Sequence, residues 1–402
     1  MAITTKIGDK GKTNILFGHQ VEKTDPLLEA VMGGETVLPR TMANFLRDFS
    51  DQNLSSLNSF LATQARLNRQ HVTKYHTKSL GNTSLHLSID STPHEQCGKK
   101  MEGLAWNYKD MWCLDSQSIF DELGFCYGMQ LRPGNTKSGV DAEELITTAL
   151  RGYKFSDEKY LSADSAYCNQ EVIRTCLGLG VKFTIVANQA TTNWKSHINE
   201  ITNWKPWEYS KKELEQAEAK GQDLPQIELG RFHWRPSWNE ALCFPVVVQR
   251  KPLKQCSLVD GAYEYYGIIT NHNLFKQSLQ SLVEHYNKRG NVENFIREEK
   301  YGYDLKHFPC QSLQANHAFG LIAMVAQNLL RWMALIDKPT KTNFAKKFRR
   351  NFINIPGQLV KHARSLVLKV SKESLEEVNR LREGWQSHPA INPAVTTGMP
   401  SG

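Results

Sequence analysis

A change of hydrophobic period near residue 83 restricts the fold of this chain more than any other feature. Residues 40–72 place apolar side chains at helical spacing, without proline or glycine among them. Residues 83–90, TSLHLSID, instead alternate Leu85, Leu87 and Ile89 with polar residues, the pattern of a half-buried strand. A helical segment followed by strands predicts a mixed α/β fold.

Strand and helix patterns then alternate as far as residue 188. Strand-like runs lie at 124–135, 159–163 and 182–188, and helical runs at 138–152 and 169–179. This order predicts that residues 81–189 form the first part of an α/β core, preceded by a helical region at 31–80.

The composition changes again after residue 189. Residues 192–225 are rich in Trp, Lys and Glu, with a charged helical run at 211–220. Three strand-like runs follow, at 227–236, 241–252 and 262–271. Residues 190–272 are therefore predicted to be a β-rich insertion.

Helical spacing resumes at residue 273 and continues to 336, which predicts a second part of the core. Its most apolar stretch, residues 318–336, contains Gln327, Asn328 and Arg331, which are costly in lipid. It is interpreted as a buried core helix, and no membrane partner is expected.

Basic residues are concentrated near the C-terminus. Residues 331–382 hold 13 Lys or Arg and 4 Asp or Glu, so this stretch accounts for the whole net charge of +8. A local basic tract favours a polyanionic partner, of which nucleic acid is the commonest, but a solvated basic face fits the charge equally well. Residues 337–402 are predicted to be a basic region and tail, with a strand at 365–370 and a helix near 373–384.

The eight cysteines are scattered, and no pair has CxxC spacing. Single cysteines suit a reducing compartment, and the N-terminus has no apolar run typical of a signal peptide. The sequence therefore predicts a cytoplasmic protein.

Residues 286–300, YNKRGNVENFIREEK, form an unusually polar helical pattern. At about 100° per residue, Tyr286, Arg289, Glu293 and Lys300 fall within about 60° of one another on one face. On its own, this pattern is most simply an amphipathic helix with a solvated face.

Two other acidic residues change that interpretation. Asp90 ends the strand-like run at 83–90, and Asp164 follows the run at 159–163. Two aspartates at predicted strand ends, together with Glu293 on a later helix, are the oxygen ligands that a pair of divalent metal ions requires. Such a pair activates a water or a 3′-hydroxyl and stabilises the leaving oxygen of a phosphodiester.

With these motifs the sequence resembles the DDE transposases of bacterial insertion sequences, in the group that carries a Tyr-(2)-Arg-(3)-Glu-(6)-Lys motif. The resemblance covers about residues 35–370. It rests on that motif and on five further segments in the expected order: SLHLSIDST, MQLRPGN, SADSAY, YYGIITN and FRRNFINIPGQLVKHARSLVLKV. Ser165 departs from the group, because many relatives have glycine after the second aspartate.

The resemblance implies an RNase H-like core in which the β-rich insertion separates Asp164 from Glu293, and in which residues 273–336 supply the helices that carry Glu293. It implies that Asp90, Asp164 and Glu293 are catalytic and bind Mg²⁺ or Mn²⁺, as two ions. Three further residues would contact DNA, namely Tyr286, Arg289 and Lys300.

The implied partners are the terminal inverted repeats of the element and its target, both double-stranded DNA. Residues 31–80 would belong to a DNA-binding region, and the protein would act as a homodimer on DNA, near the bacterial nucleoid. An inactive or repurposed copy that still binds element ends remains the alternative.

Residues 1–30 resemble a different protein family. The segment TTKIGDKGKTNILFGHQVEKTDPLLEAV is similar to the ATP-binding N-terminus of a cob(I)alamin adenosyltransferase, but nothing after residue 31 resembles the rest of that enzyme. A chimeric reading frame is predicted, with 1–30 as a remnant. A cobalamin-pathway enzyme is the third hypothesis, and it rests on these residues alone.

Overall fold

A computed structural model describes residues 39–80, 84–257, 261–337, 339, 344–362 and 365–386. The adenosyltransferase-like segment 1–30 lies outside the described residues, so the predictions made for it are not addressed by the structure.

Three helices precede the sheet: α1 (Pro39–Arg47), α2 (Asp51–Tyr75) and α3 (Thr77–Leu80). The single helix expected over 40–72 is thus divided. Ser50 begins α2 by accepting a hydrogen bond from the Asn53 backbone N–H, while the Asn53 side chain accepts one from the Ser50 N–H. This capping box stabilises a new helix start and explains the break.

The first four strands are β1 (Leu85–Glu95), β2 (Ala105–Trp106), β3 (Trp112–Asp121) and β4 (Cys126–Pro133). The expectation that Asp90 ends its strand is wrong, because β1 remains paired with β3 as far as Glu95. On its other side, however, β1 pairs with the next core strand only as far as Ser88.

Strand β3 was not predicted from the sequence. Its polar residues Asp115, Ser116, Gln117 and Ser118 are all buried, so both of its faces are covered. A strand buried on both sides shows no alternation of polar and apolar residues.

The core continues with α4 (Ala142–Ala149), β5 (Lys159–Ala163), a 3₁₀ turn (Ser165–Tyr167), α5 (Gln170–Gly178) and β6 (Lys182–Val186). The strands lie in the order β4-β3-β1-β5-β6, where β4, β3 and β1 are antiparallel neighbours and β1, β5 and β6 are parallel. This mixed sheet with its helices confirms the predicted α/β, RNase H-like fold class.

The insertion contains α6 (Gln189–Thr192), a 3₁₀ helix (Trp194–Glu200), β7 (Lys205–Pro206), α7 (Lys211–Lys220), β8 (Glu228–Trp234), β9 (Phe244–Ser257) and β10 (Gly261–Thr270). The region is rich in strands, as predicted. Because β10 pairs with β6, these strands extend the central sheet to ten strands instead of forming a separate layer.

The later helices are α8 (Leu279–Asn287), a 3₁₀ turn (Lys288–Gly290), α9 (Asn291–Gly302) and α10 (Leu313–Asp337). The uninterrupted helix expected over 286–300 is therefore wrong. Among the described residues, α10 is the one helix long and apolar enough to cross a membrane, yet 67% of its most apolar window is buried within the protein. It packs against α2 and β4, as expected of a core helix.

The C-terminal region contains α11 (Ala345–Phe348), a π-helical turn (Arg349–Ile353), a hairpin of β11 (Gly357–His362) and β12 (Ser365–Val370), and α12 (Lys372–Gln386).

The central sheet has a separate apolar cluster on each face. Ile89 and Ile146 belong to the cluster on one face, whereas Phe120, Phe295 and Phe319 belong to the cluster on the other. The second face is the one that α9 covers, and the candidate site lies there.

Candidate active site

Asp90 and Asp164 lie on neighbouring strands and on the same face of the sheet. The last paired residues of β1 and β5 are Ser88 and Ser162, and each aspartate follows its serine by two positions. Because side chains alternate along a strand, both carboxylates point to the face that α9 covers.

Local hydrogen bonds orient the two carboxylates. Asp90 Oδ1 accepts a hydrogen bond from the Ser91 backbone N–H at 2.9 Å, and Asp164 Oδ1 accepts one from Ala166 N–H at 2.9 Å. The second bond caps the 3₁₀ turn that ends β5. One oxygen of each carboxylate is thereby held, and the other faces a shared cation.

That cation is Arg289. Its Nη2 lies 2.9 Å from Asp90 Oδ2 and 3.7 Å from Asp164 Oδ2. The 3₁₀ turn between α8 and α9 carries Arg289, so the interruption of the helix brings the guanidinium to the strands. Two of the predicted catalytic residues and one predicted DNA-binding residue therefore meet at one place.

Glu293 lies in the first turn of α9, where its side chain is exposed. Burial raises the pKa of Asp90 to about 6, while Arg289 lowers it and the charges of Asp164 and Glu293 raise it further. The charges of Asp164 and Glu293 thus both act on Asp90. Within the described residues, no three His, Cys, Asp or Glu side chains are grouped closely enough to hold a metal ion as they stand.

Tyr286 is buried, with 6% of its surface exposed. Tyr266 on β10 donates a hydrogen bond to the Tyr286 hydroxyl at 3.2 Å, and burial raises the pKa of Tyr286 above its usual range. A base can stack only on an exposed ring face, so this conformation excludes stacking on Tyr286.

Lys300 is half-buried and connects α9 to strand β1 through a hydrogen bond. Its Nζ donates a hydrogen bond to the Pro93 carbonyl oxygen at 2.7 Å, and burial lowers the pKa of the ammonium group. Lys300 and Glu293 are seven positions apart and lie within about 20° of one another around α9, but Lys300 is half-buried against β1 whereas Glu293, in the first turn, is exposed.

Glu299, which no sequence motif marks, lies fully buried beneath the site. Burial raises its pKa to about 8, and this effect is reduced by Ser118 and Lys300. Ser118 is the residue of β3 that pairs with Asp90. In the sequence, residues 298–300 (EEK) resemble a solvated run of charges. Only the packing of α9 against the sheet shows that Glu299 is buried.

The sequence fits the family model described as transposase DDE domain group 1 over residues 19–382. No curated protein matches the chain. The match begins within the segment 1–30, whose resemblance to an adenosyltransferase stays a prediction.

Proposed function

Because this chain belongs to the DDE transposase family, we propose that it is the transposase of an insertion sequence, which cuts the ends of its element and joins them to new DNA. The observation that supports this most strongly is the shared site of Asp90 and Asp164. Their carboxylates lie on one face of the sheet, both contact Arg289, and the charge of Glu293 acts on Asp90.

The chemistry of these side chains fits divalent metal ions, which DDE transposases generally use. Carboxylate oxygens are hard ligands of the kind that Mg²⁺ and Mn²⁺ prefer, and Asp90 and Asp164 already share one positive charge. Asp90, Asp164 and Glu293 would hold the ions. Two bound ions would supply activation of a water or 3′-hydroxyl and stabilisation of the leaving oxygen.

Arg289 and Lys300 are the cations proposed to bind the DNA backbone. The two aspartates do not satisfy the whole guanidinium of Arg289, since its buried Nε has no hydrogen-bond partner among the described residues. Lys300 contributes positive charge from beneath the helix and keeps α9 against β1.

The remaining assignments follow from the same proposal. The substrate is double-stranded DNA at terminal inverted repeats and at the target, and α1 to α3 belong to a DNA-binding region. The protein acts in the cytoplasm, as a homodimer assembled on DNA.

A plasmid cleavage assay tests this function. The plasmid carries the sequences that flank the reading frame, and an otherwise identical plasmid lacks them. We expect cleavage of the first plasmid only, dependent on Mg²⁺ or Mn²⁺, and lost in Asp164→Asn. The matched control is Asp223→Asn, an exposed residue of the insertion, which should leave cleavage unchanged.

Cleavage by Asp164→Asn at the wild-type rate would refute the assignment of the site. Specific binding of the flanking sequences without cleavage by the wild-type protein would instead favour the inactive, DNA-binding alternative.

A further inference from the structure

A small groove of about 220 Å³ lies on the outer side of α9, between that helix and the start of α11. Tyr301 and Gly302 form one side, and Phe344 and Lys346 form the other. The ring of Tyr301, the backbone of Gly302 and the ring of Phe344 line the groove, so its surface is largely apolar.

Specific contacts hold the two sides of the groove together. The Ala345 backbone N–H donates a hydrogen bond to Glu298 on α9. Arg349 donates one to the Gly302 carbonyl oxygen at 2.7 Å, and its guanidinium lies 5.8 Å from the centre of the Tyr303 ring. The groove is therefore built by the packing of α11 and the turn after it against α9.

Tyr301 is the exposed aromatic residue of α9, with 62% of its surface accessible. It follows Glu293 by eight positions, or about 12 Å along the helix axis and about 80° around it. Tyr286, the aromatic residue of the family motif, is buried. Tyr301 on α9 can thus present a ring face, whereas Tyr286 on α8 cannot.

Three exposed cations lie at this groove or beside the Tyr301 ring. Arg297 and Lys346 line the groove, and Lys306 Nζ lies 5.9 Å from the centre of the Tyr301 ring. The acidic residue of the groove, Glu298, is engaged by the Ala345 N–H. An aromatic ring among cations is the arrangement that binds single-stranded nucleic acid, in which bases stack on the ring and phosphates meet the cations.

We propose that Tyr301 and this groove bind an unpaired base of the DNA strand that passes the candidate active site, with neighbouring phosphates on Arg297, Lys306 and Lys346. The base must be unpaired and unstacked, because both faces of a base inside a duplex are covered by its neighbours. The inference rests on DNA being the substrate, as proposed above.

Binding of two fluorescent single-stranded oligonucleotides tests this proposal. One carries all its bases, and the other has the same length and charge but abasic sugars in its centre. The wild-type protein should prefer the first. Tyr301→Ala should weaken binding of the first by about 5- to 100-fold and leave the second unchanged, since one stacked base is lost. Tyr301→Phe keeps a ring and should bind like the wild type.

Tyr108 provides a matched control. It is 84% exposed, and Lys109 lies 5.3 Å from the centre of its ring, but it lines no part of this groove. Tyr108→Ala should therefore bind both oligonucleotides like the wild type. Melting temperatures of all variants should agree with the wild type, because both rings are exposed. If Tyr301→Ala is unstable, Tyr301→Leu supplies the same test.

Three results would overturn the proposal. Tyr301→Ala could bind both oligonucleotides like the wild type, or it could weaken both equally, which would indicate lost charge or fold instead of lost stacking. It could also change the sedimentation of the protein without changing oligonucleotide binding, which would identify a second copy of the chain as the occupant. If the wild-type protein does not cleave the plasmid that carries the flanking sequences, the proposed function is refuted. The oligonucleotide binding measurement can still be made, so the two failures can be told apart.

Discussion

Arg289 supplies the positive charge that allows Asp90 and Asp164 to lie close together on one face of the sheet. In the presence of a metal chelator, Arg289→Gln should lower the free energy of unfolding by about 1.5–3 kcal/mol, the usual contribution of a hydrogen bond to a charged group. Added Mn²⁺ should then stabilise Arg289→Gln more than the wild type, because the ion no longer competes with the guanidinium.

Urea unfolding with and without Mn²⁺ measures both effects. Arg297→Gln is the control, since that arginine is exposed on the adjacent helix α9 and contacts neither aspartate in the described structure. Equal stability and an equal response to Mn²⁺ in Arg289→Gln and the wild type would mean that the contact has no energetic role.

Glu299 gives a prediction about pH. Its pKa in the folded protein is about 8, above the value of 4.5 expected without burial, so the folded state retains a proton that the unfolded state has lost. The stability of the wild type should therefore fall as pH rises through this interval, by up to about 1.4 kcal/mol per pH unit. Glu299→Gln, a neutral isostere of the protonated acid, should remove that contribution.

Free energies of unfolding from about pH 5 to about pH 8 test this prediction. Glu299→Gln should become progressively more stable than the wild type across the interval, whereas the exposed Glu215→Gln should follow the wild type. Parallel curves for Glu299→Gln and the wild type would show that Glu299 is ionised in the folded state.

At the residue scale, the sequence indicated which side chains belong to the candidate site. It did not indicate how deeply each of them is buried. The spacing of Arg289 and Glu293 and the order of the aspartates could be read directly. Burial could not, because it depends on which face of α9 meets the sheet. Tyr286 is consequently packed against β10, and Glu299 is buried within what resembles a solvated charge run.

At the scale of elements, Tyr286 joins α8 to the insertion strand β10. Tyr286→Ala should destabilise the protein by about 3–5 kcal/mol, the usual cost of deleting a large buried aromatic side chain. Tyr286→Phe loses only the hydrogen bond with Tyr266 and should cost about 0.5–1.5 kcal/mol. Thermal or urea unfolding of the two variants tests this, and a harmless Tyr286→Ala would imply that the ring is not part of the core.

Elements with a clear period were predicted to within a few residues, and the others were missed for identifiable reasons. Helices α5 and α7 and strand β6 agree with the expected segments. Strand β3 has two buried faces, so its sequence lacks alternation. The 3₁₀ turn at Lys288–Gly290 cannot be recognised from the helical spacing of the sequence, although it brings Arg289 to the aspartates.

At the scale of the whole molecule, the basic C-terminal region should serve DNA binding. Lys346, Lys347 and Arg350 are exposed, whereas Arg349 is half-buried and bonded to Gly302. Changing the three exposed residues to Gln should weaken binding to all duplexes alike. It should also reduce the slope of log K against log salt by up to about 2.7, or 0.9 for each lost phosphate contact.

The control is a triple change of Lys211, Lys212 and Lys220 to Gln, which removes the same charge from α7 in the insertion. An unchanged slope in the C-terminal variant, or an equal change in both variants, would favour a solvated basic face.

The central claim is that Asp90, Asp164 and Glu293, which are distant in sequence, hold divalent metal together. Iron-induced hydroxyl-radical cleavage of the polypeptide tests it most directly, because Fe²⁺ bound in place of Mg²⁺ cuts the backbone near its ligands whether or not DNA is present. We predict cuts near residues 90, 164 and 293 in the wild type, suppressed by excess Mg²⁺ and lost together in Asp164→Asn. Cuts near only one of these residues, or a pattern that Asp164→Asn leaves unchanged, would contradict the account.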